Sequence, residues 1–300
     1  MGTFTIEGGH KLKGTLTPQG AKNEALQILA AVLLTADEVE LKNIPEIRDI
    51  LRMIELLKGL GVKVDHKGKG HWTFKADEID LDFFHTDEFK TKGAAIRGSI
   101  MIIGPLLARF GIGYIPSPGG DKIGRRRLDT HFIGFESLGA EFIYNKETGF
   151  YKVEGKNLKG NYMLLEEASV TGTANILMAA VMAKGTTTIY NAACEPYLQQ
   201  LSRMINSMGG KISGVGSNML TIEGVGELGG CTHTILPDMI EIGSFISLAA
   251  LTQSEITIEN CRVDQLGIIP KVFKKLGVQF VIKDDDIIIP ENRHYEIDNF

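Results

Sequence analysis

Ile176-Leu177-Met178-Ala179-Ala180, followed by Thr186-Thr187-Thr188-Ile189-Tyr190 and Asn191, is the stretch whose reading decides the fold. The first run is apolar nearly all round, which a helix tolerates only when it is buried on every side. The second is rich in β-branched residues and reads as a strand ending in a turn residue. The same pairing recurs three times. Leu26-Gln27-Ile28-Leu29-Ala30-Ala31 precedes Glu38 to Ile44, Met101-Ile102-Ile103-Gly104-Pro105-Leu106 precedes Gly111 to Ile115, and Ile246-Ser247-Leu248-Ala249-Ala250 precedes Glu255 to Glu259. Asn43, Asn191 and Asn260 close three of the four strand runs.

Outward from each pair lies an amphipathic helix. Its apolar positions fall three and four apart, as at Ile47, Ile50, Leu51, Ile54 and Leu57, or at Leu266, Ile269, Val272, Phe273 and Leu276. Leu198, Leu201 and Met208 mark the helix of the third copy, and Gly61, Gly139, Gly209 and Gly277 stand where C-terminal caps belong. A pair of short strands, such as Lys211 to Ser213 with Met219 to Glu223, closes the unit. The repeat is therefore a β-α-β-α-β-β unit of about 70 residues.

The fold class that follows is α/β. Three units share one core, their apolar helices bundled at the centre and their sheets wrapped outside. Residues 21–235 are expected to form this domain, and residues 1–20 with 236–300 part of a second one, joined by an N-terminal strand around Thr3 to Ile6. A second domain of three units would need two further copies, so the chain is expected to be incomplete at its C-terminus.

Composition sets the broad class. Three hundred residues suit two domains, and 43% hydrophobic with 23% charged residues describes a soluble globular protein. A net charge of −5 argues against a nucleic-acid partner. The apolar runs Leu26 to Leu34 and Ile100 to Ala108 are too short to span a bilayer, and no secretory pattern opens the chain. Cys194, Cys231 and Cys261 lack metal or redox spacing and are expected to be reduced and packed. The expected location is the cytoplasm, with no membrane partner.

Polar residues interrupt the starts of the buried helices: Lys22 and Asn23, then Arg97 and Ser99, then Ser169, Thr171 and Gly172. Helix N-termini favour phosphates and carboxylates, and parallel units would gather these ends on one rim. Each residue taken alone reads equally well as a cap or as the partner of an internal carboxylate. Taken as a set, they favour an anion site. The second unit also carries Pro116-Ser117-Pro118-Gly119-Gly120-Asp121-Lys122-Ile123-Gly124-Arg125-Arg126-Arg127, a loop of lid-like composition. Its arginines suit two-pronged phosphate binding, whereas composition alone slightly favours a solvated basic turn.

Gly20-Ala21-Lys22-Asn23, Arg97-Gly98-Ser99-Ile100, Gly104 to Gly111, Pro118-Gly119-Gly120 and Leu236-Pro237-Asp238-Met239-Ile240-Glu241 resemble UDP-N-acetylglucosamine enolpyruvyl transferases from about Phe4 onward. The resemblance implies two domains of three units each, the inside-out α/β barrel, with substrates between them. It implies transfer of enolpyruvyl from phosphoenolpyruvate to the sugar 3-hydroxyl with release of phosphate, without a cofactor or metal, by a monomer. By position, Lys22, Arg97 and Arg126 match the phosphoenolpyruvate contacts and Asn23 the amino-sugar contact. Asp129 and His131 match residues near the uridine, and Ser169, Val170 and Thr171 the diphosphate segment. Asp238 and Glu241 match acidic positions near the domain crossing.

Three departures stand out. Asp121 replaces the usual loop cysteine, which the antibiotic fosfomycin alkylates; Glu167 replaces a common basic residue; Thr171 stands where glycine is frequent. The family's general base and a further arginine would lie beyond Phe300, so the chain alone is expected to be inactive. Two rivals remain. One is the related transferase for 3-phosphoshikimate, against which the Pro118–Asp121 loop and the Asp129-x-His131 pair speak; the other is a non-catalytic sugar-nucleotide-binding protein.

Overall fold

The computed structural model describes residues 3–117, 119, 127–146, 149–292 and 294–297. The chain divides into two compact units, Lys22–Ile235 and the combination of Met1–Ala21 with Leu236–Phe300. In chain order, β1 (Lys13–Leu16) precedes α1 (Lys22–Ala31), β2 (Glu38–Lys42), α2 (Arg48–Gly59), β3 (Lys63–Gly68) and β4 (His71–Lys75). Next come α3 (Asp87–Ala94), a 3-10 segment Arg97–Ile102 that runs into α4 (Ile103–Phe110), β5 (Ile112–Pro116), α5 (Asp129–Ser137), β6 (Glu141–Asn145) and β7 (Phe150–Glu154). The third stretch holds β8 (Tyr162–Leu164), α6 (Val170–Ala180), β9 (Thr186–Tyr190), α7 (Pro196–Ser207), β10 (Lys211–Ser213) and β11 (Met219–Glu223). The last holds β12 (Cys231–Thr234), α8 (Met239–Leu251), β13 (Glu255–Ile258), α9 (Ile269–Lys275), β14 (Val281–Lys283) and β15 (Asp286–Ile289).

Three sheets share one plan, in which a parallel edge strand is followed by an antiparallel pair: β12-β2-β4-β3, β8-β9-β11-β10 and β1-β13-β15-β14. A parallel neighbour needs a crossover, and α6 supplies it between β8 and β9. In the first sheet the edge strand instead comes from the far end of its own unit. There β12 lies along β2 from Cys231 opposite Val39 to Thr234 opposite Lys42. The unit therefore closes on itself, which leaves β1 to pair with β13.

The turns follow the sequence chemistry. Asn43, Asn191 and Asn260 adopt φ of 58°, 57° and 55°, the left-handed region that asparagine tolerates. Gly61, Gly139, Gly209 and Gly277 have φ between 82° and 103°, as residues beyond helix ends require.

The core of Lys22–Ile235 is its apolar helices. In α6 every residue from Gly172 to Ala180 is buried, and in α1 Ile28 to Ala31 are fully covered. Backbone meets backbone between α4 and α6. A Cβ on Gly104 would sit 2.2 Å from the Asn175 carbonyl oxygen, so only glycine lets these backbones meet.

The structure corrects several expectations. Thr3 to Ile6 form no strand, and Phe4 and Ile6 are exposed; the N-terminal strand is Lys13–Leu16, beyond the Gly8-Gly9 break. The second apolar helix begins as a 3-10 turn, because Pro105 has no N–H to give to the carbonyl a turn earlier. Its sheet, β5-β7-β6, holds three strands among the described residues, and α3 occupies the chain where an edge strand was expected. Lastly, α8 is covered on one side only. Ile242, Ile246 and Ala249 are buried while Ile240 and Leu251 are exposed. Of the three free thiols, Cys261 is packed but Cys194 is exposed.

Adding one methyl at the α4–α6 contact tests this core. Gly104→Ala is expected to lower stability by about 2–4 kcal/mol in urea unfolding, since overpacking meets backbone rather than a yielding side chain. A loss below about 0.5 kcal/mol would show that the helices separate freely.

Candidate active site

The helix starts carry the polar residues that the sequence singled out. Lys22 opens α1, and its Nζ meets Asp49 Oδ2 of α2 at 2.5 Å. Asn23 beside it is exposed. Glu24 is fully buried and bonds His233 Nε2 at 2.9 Å, which pins α1 to the closing strand β12. The segment carrying Arg97 packs on the next turn of α1, since a Cβ on Gly98 would lie 3.0 Å from Leu26. Lys22 and Arg97 therefore sit on neighbouring segments. Ser99 points inward and is spent on the Gly93 and Ile96 carbonyls, at 2.7 and 2.8 Å.

Arg97 reaches α5 by donating to the Arg127 carbonyl at 3.3 Å. Arg127 in turn pairs with Asp129, Nε to Oδ2 at 2.5 Å. In the first turn of α5, His131 is 2% exposed. Burial, joined by the charge of Arg97, pushes its imidazole down to about 3, so the ring is neutral at any working pH. Its Nδ1 faces Asn175 Nδ2 at 3.0 Å and its Nε2 faces Thr171 Oγ1 at 3.2 Å.

At the start of α6, Ser169 caps the helix by accepting from Gly172 N at 3.2 Å. Val170 and Thr171 form the first turn, with the Thr171 side chain exposed. Glu167 accepts from Thr130 Oγ1 at 3.3 Å. A cavity of about 200 Å³ opens there, lined by Arg127, Asp129, Thr130, Leu164 and Glu167 among others. Arg97, Arg127, Asp129, His131 and Thr171 thus form one connected group. Asp121 and Arg126 lie outside the described residues. The base of their loop does not: a Cβ on Gly119 would lie 1.8 Å from the Ala94 carbonyl oxygen, so the chain enters the loop pressed onto the end of α3.

Asp238 and Glu241 hold the other unit together. Asp238 caps α8 through Ile240 N at 2.8 Å, its own N–H donates to Gln19 O, and Glu241 accepts from Gln19 N at 2.6 Å. Sequence reasoning missed Asn175 and named Arg127 only as one of three loop arginines. Asn175 is a polar residue inside an otherwise apolar helix, a signal that could have found it. A larger cavity, about 600 Å³, lies where α4 ends, lined by Arg109, Lys156, Lys159 and Lys184. There Arg109 donates to the Leu33, Thr35 and Ala76 carbonyls, a cap on chain ends rather than a free cation.

A family profile described as EPSP synthase (3-phosphoshikimate 1-carboxyvinyltransferase) matches residues 6–299. The chain is 59% identical over 300 residues to UDP-N-acetylglucosamine 1-carboxyvinyltransferase of Bacteroides thetaiotaomicron, covering all of this chain and 69% of that protein. It belongs to the UDP-N-acetylglucosamine 1-carboxyvinyltransferase family. The protein of the same name from Porphyromonas gingivalis is 55% identical with the same coverage. Among solved structures, the enolpyruvyl transferase NikO from Streptomyces tendae matches with a TM-score of 0.81 at 18% identity, over 95% of this chain and 67% of that one. EPSP synthase from Acinetobacter baumannii matches at 0.74 and 18%, over 94% and 65%. At that identity these two speak for the fold, the repeated-unit α/β architecture of enolpyruvyl transferases.

Burial of His131 makes acid stability a test of the site. The folded state binds its proton only near pH 3, whereas the unfolded chain binds one near 6.5. Stability is therefore fully present above about pH 6.5 and is lost as pH falls, at roughly 1.4 kcal/mol per pH unit. In urea unfolding, His131→Gln is expected to narrow the stability difference between pH 7 and pH 5 by about 2 kcal/mol. An unchanged difference would mean that His131 titrates normally.

Proposed function

We propose that this protein transfers enolpyruvyl from phosphoenolpyruvate to the 3-hydroxyl of UDP-N-acetylglucosamine and releases phosphate, the first committed step of peptidoglycan synthesis, in the cytoplasm. Identity of 55–59% along the whole chain to relatives of that name is the observation that carries the reading. It also favours the sugar nucleotide over 3-phosphoshikimate.

The chemistry is addition followed by elimination. A proton goes to the methylene carbon of phosphoenolpyruvate, the sugar hydroxyl attacks the central carbon and loses its proton, and the tetrahedral adduct expels phosphate as its methyl carbon gives up a proton to restore the double bond. Fixed cations hold the carboxylate and phosphate of phosphoenolpyruvate and stabilise the charge of the departing phosphate. Lys22 and Arg97 on neighbouring segments, with Arg126 from the loop, are assigned to the carboxylate and phosphate of phosphoenolpyruvate. Asn23 is assigned to the amino sugar, Asp129 and His131 to the uridine end, and Ser169, Val170 and Thr171 to the diphosphate. The free N–H groups at the start of α6 support that last assignment. His131, neutral and buried, acts there by hydrogen bonding and not as a proton carrier. Asp121 takes the proton-donor or product-release role of the loop, which requires its carboxyl to be raised by burial under the closed loop.

Two measurements test this. In the full-length protein, Lys22→Ala is expected to reduce phosphate release by roughly 100-fold or more, with weaker phosphoenolpyruvate binding. Activity within a few-fold of wild type would remove Lys22 from the mechanism. The carboxylate of Asp121 is a far weaker nucleophile toward an epoxide than a thiolate. Wild type is therefore expected to resist fosfomycin, and Asp121→Cys to be inactivated with time and to gain the adduct mass. Rapid covalent inactivation of wild type would contradict the assignment.

A further inference from the structure

Asn175 sits inside α6, fully buried, and makes three hydrogen bonds across helices. Its Oδ1 accepts from Gly104 N at 2.7 Å, and its Nδ2 donates to Ile100 O at 2.9 Å. A backbone N–H can only donate and a carbonyl can only accept, so these two contacts fix which end of the amide is which. The remaining amide hydrogen points at His131 Nδ1, 3.0 Å away, which must therefore carry a lone pair. A neutral imidazole with a bare Nδ1 holds its proton on Nε2, and that N–H faces Thr171 Oγ1 at 3.2 Å. The threonine oxygen is then an acceptor toward the histidine, and its own proton must point elsewhere. Among the described residues, His131 is the one hydrogen-bond partner of Thr171 Oγ1.

We infer that Asn175 is a positioning residue that, through the tautomer of His131, aims the exposed Thr171 hydroxyl out of the start of α6 as a preset donor to a phosphate oxygen of the sugar nucleotide. The inference rests on the proposed function for the identity of that oxygen, whereas the relay itself rests on the hydrogen bonds alone. Its logic is preorganisation. A free hydroxyl rotates, and one held by a buried amide and a neutral ring loses that freedom before the ligand arrives. Ring neutrality, enforced by burial and by Arg97, keeps the relay working across the physiological range.

The test is made on the full-length protein with UDP-N-acetylglucosamine as the varied substrate. Thr171→Val is expected to raise KM for the sugar nucleotide about tenfold with kcat changed less than twofold, and Thr171→Ser to restore it, since only the hydroxyl matters. Asn175→Leu is expected to raise KM similarly in the wild-type background and to add nothing to Thr171→Val, because its effect passes through that hydroxyl. Nitrogen-15 NMR of the His131 ring is expected to place the proton on Nε2 in wild type and to lose that preference in Asn175→Leu. Should the asparagine variant fail to fold, the two threonine variants and the wild-type ring spectrum still decide. A Thr171→Val enzyme with unchanged KM, or a wild-type proton on Nδ1, would overturn the relay and leave the proposed function standing. Absence of turnover of UDP-N-acetylglucosamine by wild type would overturn the function instead, while the ring spectrum would still judge the relay.

Discussion

A helix that is apolar on every side has to be enclosed, and in Lys22–Ile235 the repeats enclose one another's helices. Burial of α6 from Gly172 to Ala180 is possible only because Gly104 allows α4 to come into backbone contact. That closeness carries a condition. Where the 3-10 turn runs into α4, Gly104 N donates to Asn175 Oδ1, and Ile100 O, which accepts from Ile103 N, takes a second hydrogen bond from Asn175 Nδ2. One polar side chain in an apolar helix thus makes the central packing admissible, and its leftover hydrogen reaches the candidate site.

Charge along the helices divides the same way. At the starts of α1, the Arg97 segment and α6 lie Lys22, Arg97 and the free N–H groups of α6, all favourable to anions. Near the end of α4, Arg109 is absorbed by three backbone carbonyls. The cavity beside Arg109 is the larger, yet its arginine is committed, whereas the site side presents groups that a substrate can engage. Lys22 is held by Asp49 without being deeply buried, so an incoming phosphate or carboxylate can compete for it.

Much of this was legible in the residues. Repetition of apolar run, strand and amphipathic helix located the elements, and the asparagines and glycines after them marked turns that prove to have left-handed backbone. Lys22, Arg97 and Thr171 were visible as polar residues at the starts of buried segments. Asn175 marks itself as a polar residue in a helix that has to be buried, but nothing local says which groups it meets. Only its three partners, drawn from segments 44 to 75 residues away, show what it does. The N-terminal strand was misplaced because Thr3 to Ile6 alternate as a strand should, and alternation carries no information about whether a partner edge is near.

Local pattern therefore determined which segments are helix, strand and turn, since those choices depend on side chains a few residues apart. It also determined that the apolar helices of Lys22–Ile235 are buried together, because solvent offers them no other place. Tertiary structure alone decided that β12 and not β1 completes the first sheet, and that His131 is buried beside Arg97 and holds its proton on Nε2. Register between distant strands and the orientation of a buried amide depend on groups that the sequence keeps far apart and only folding brings within hydrogen-bonding distance.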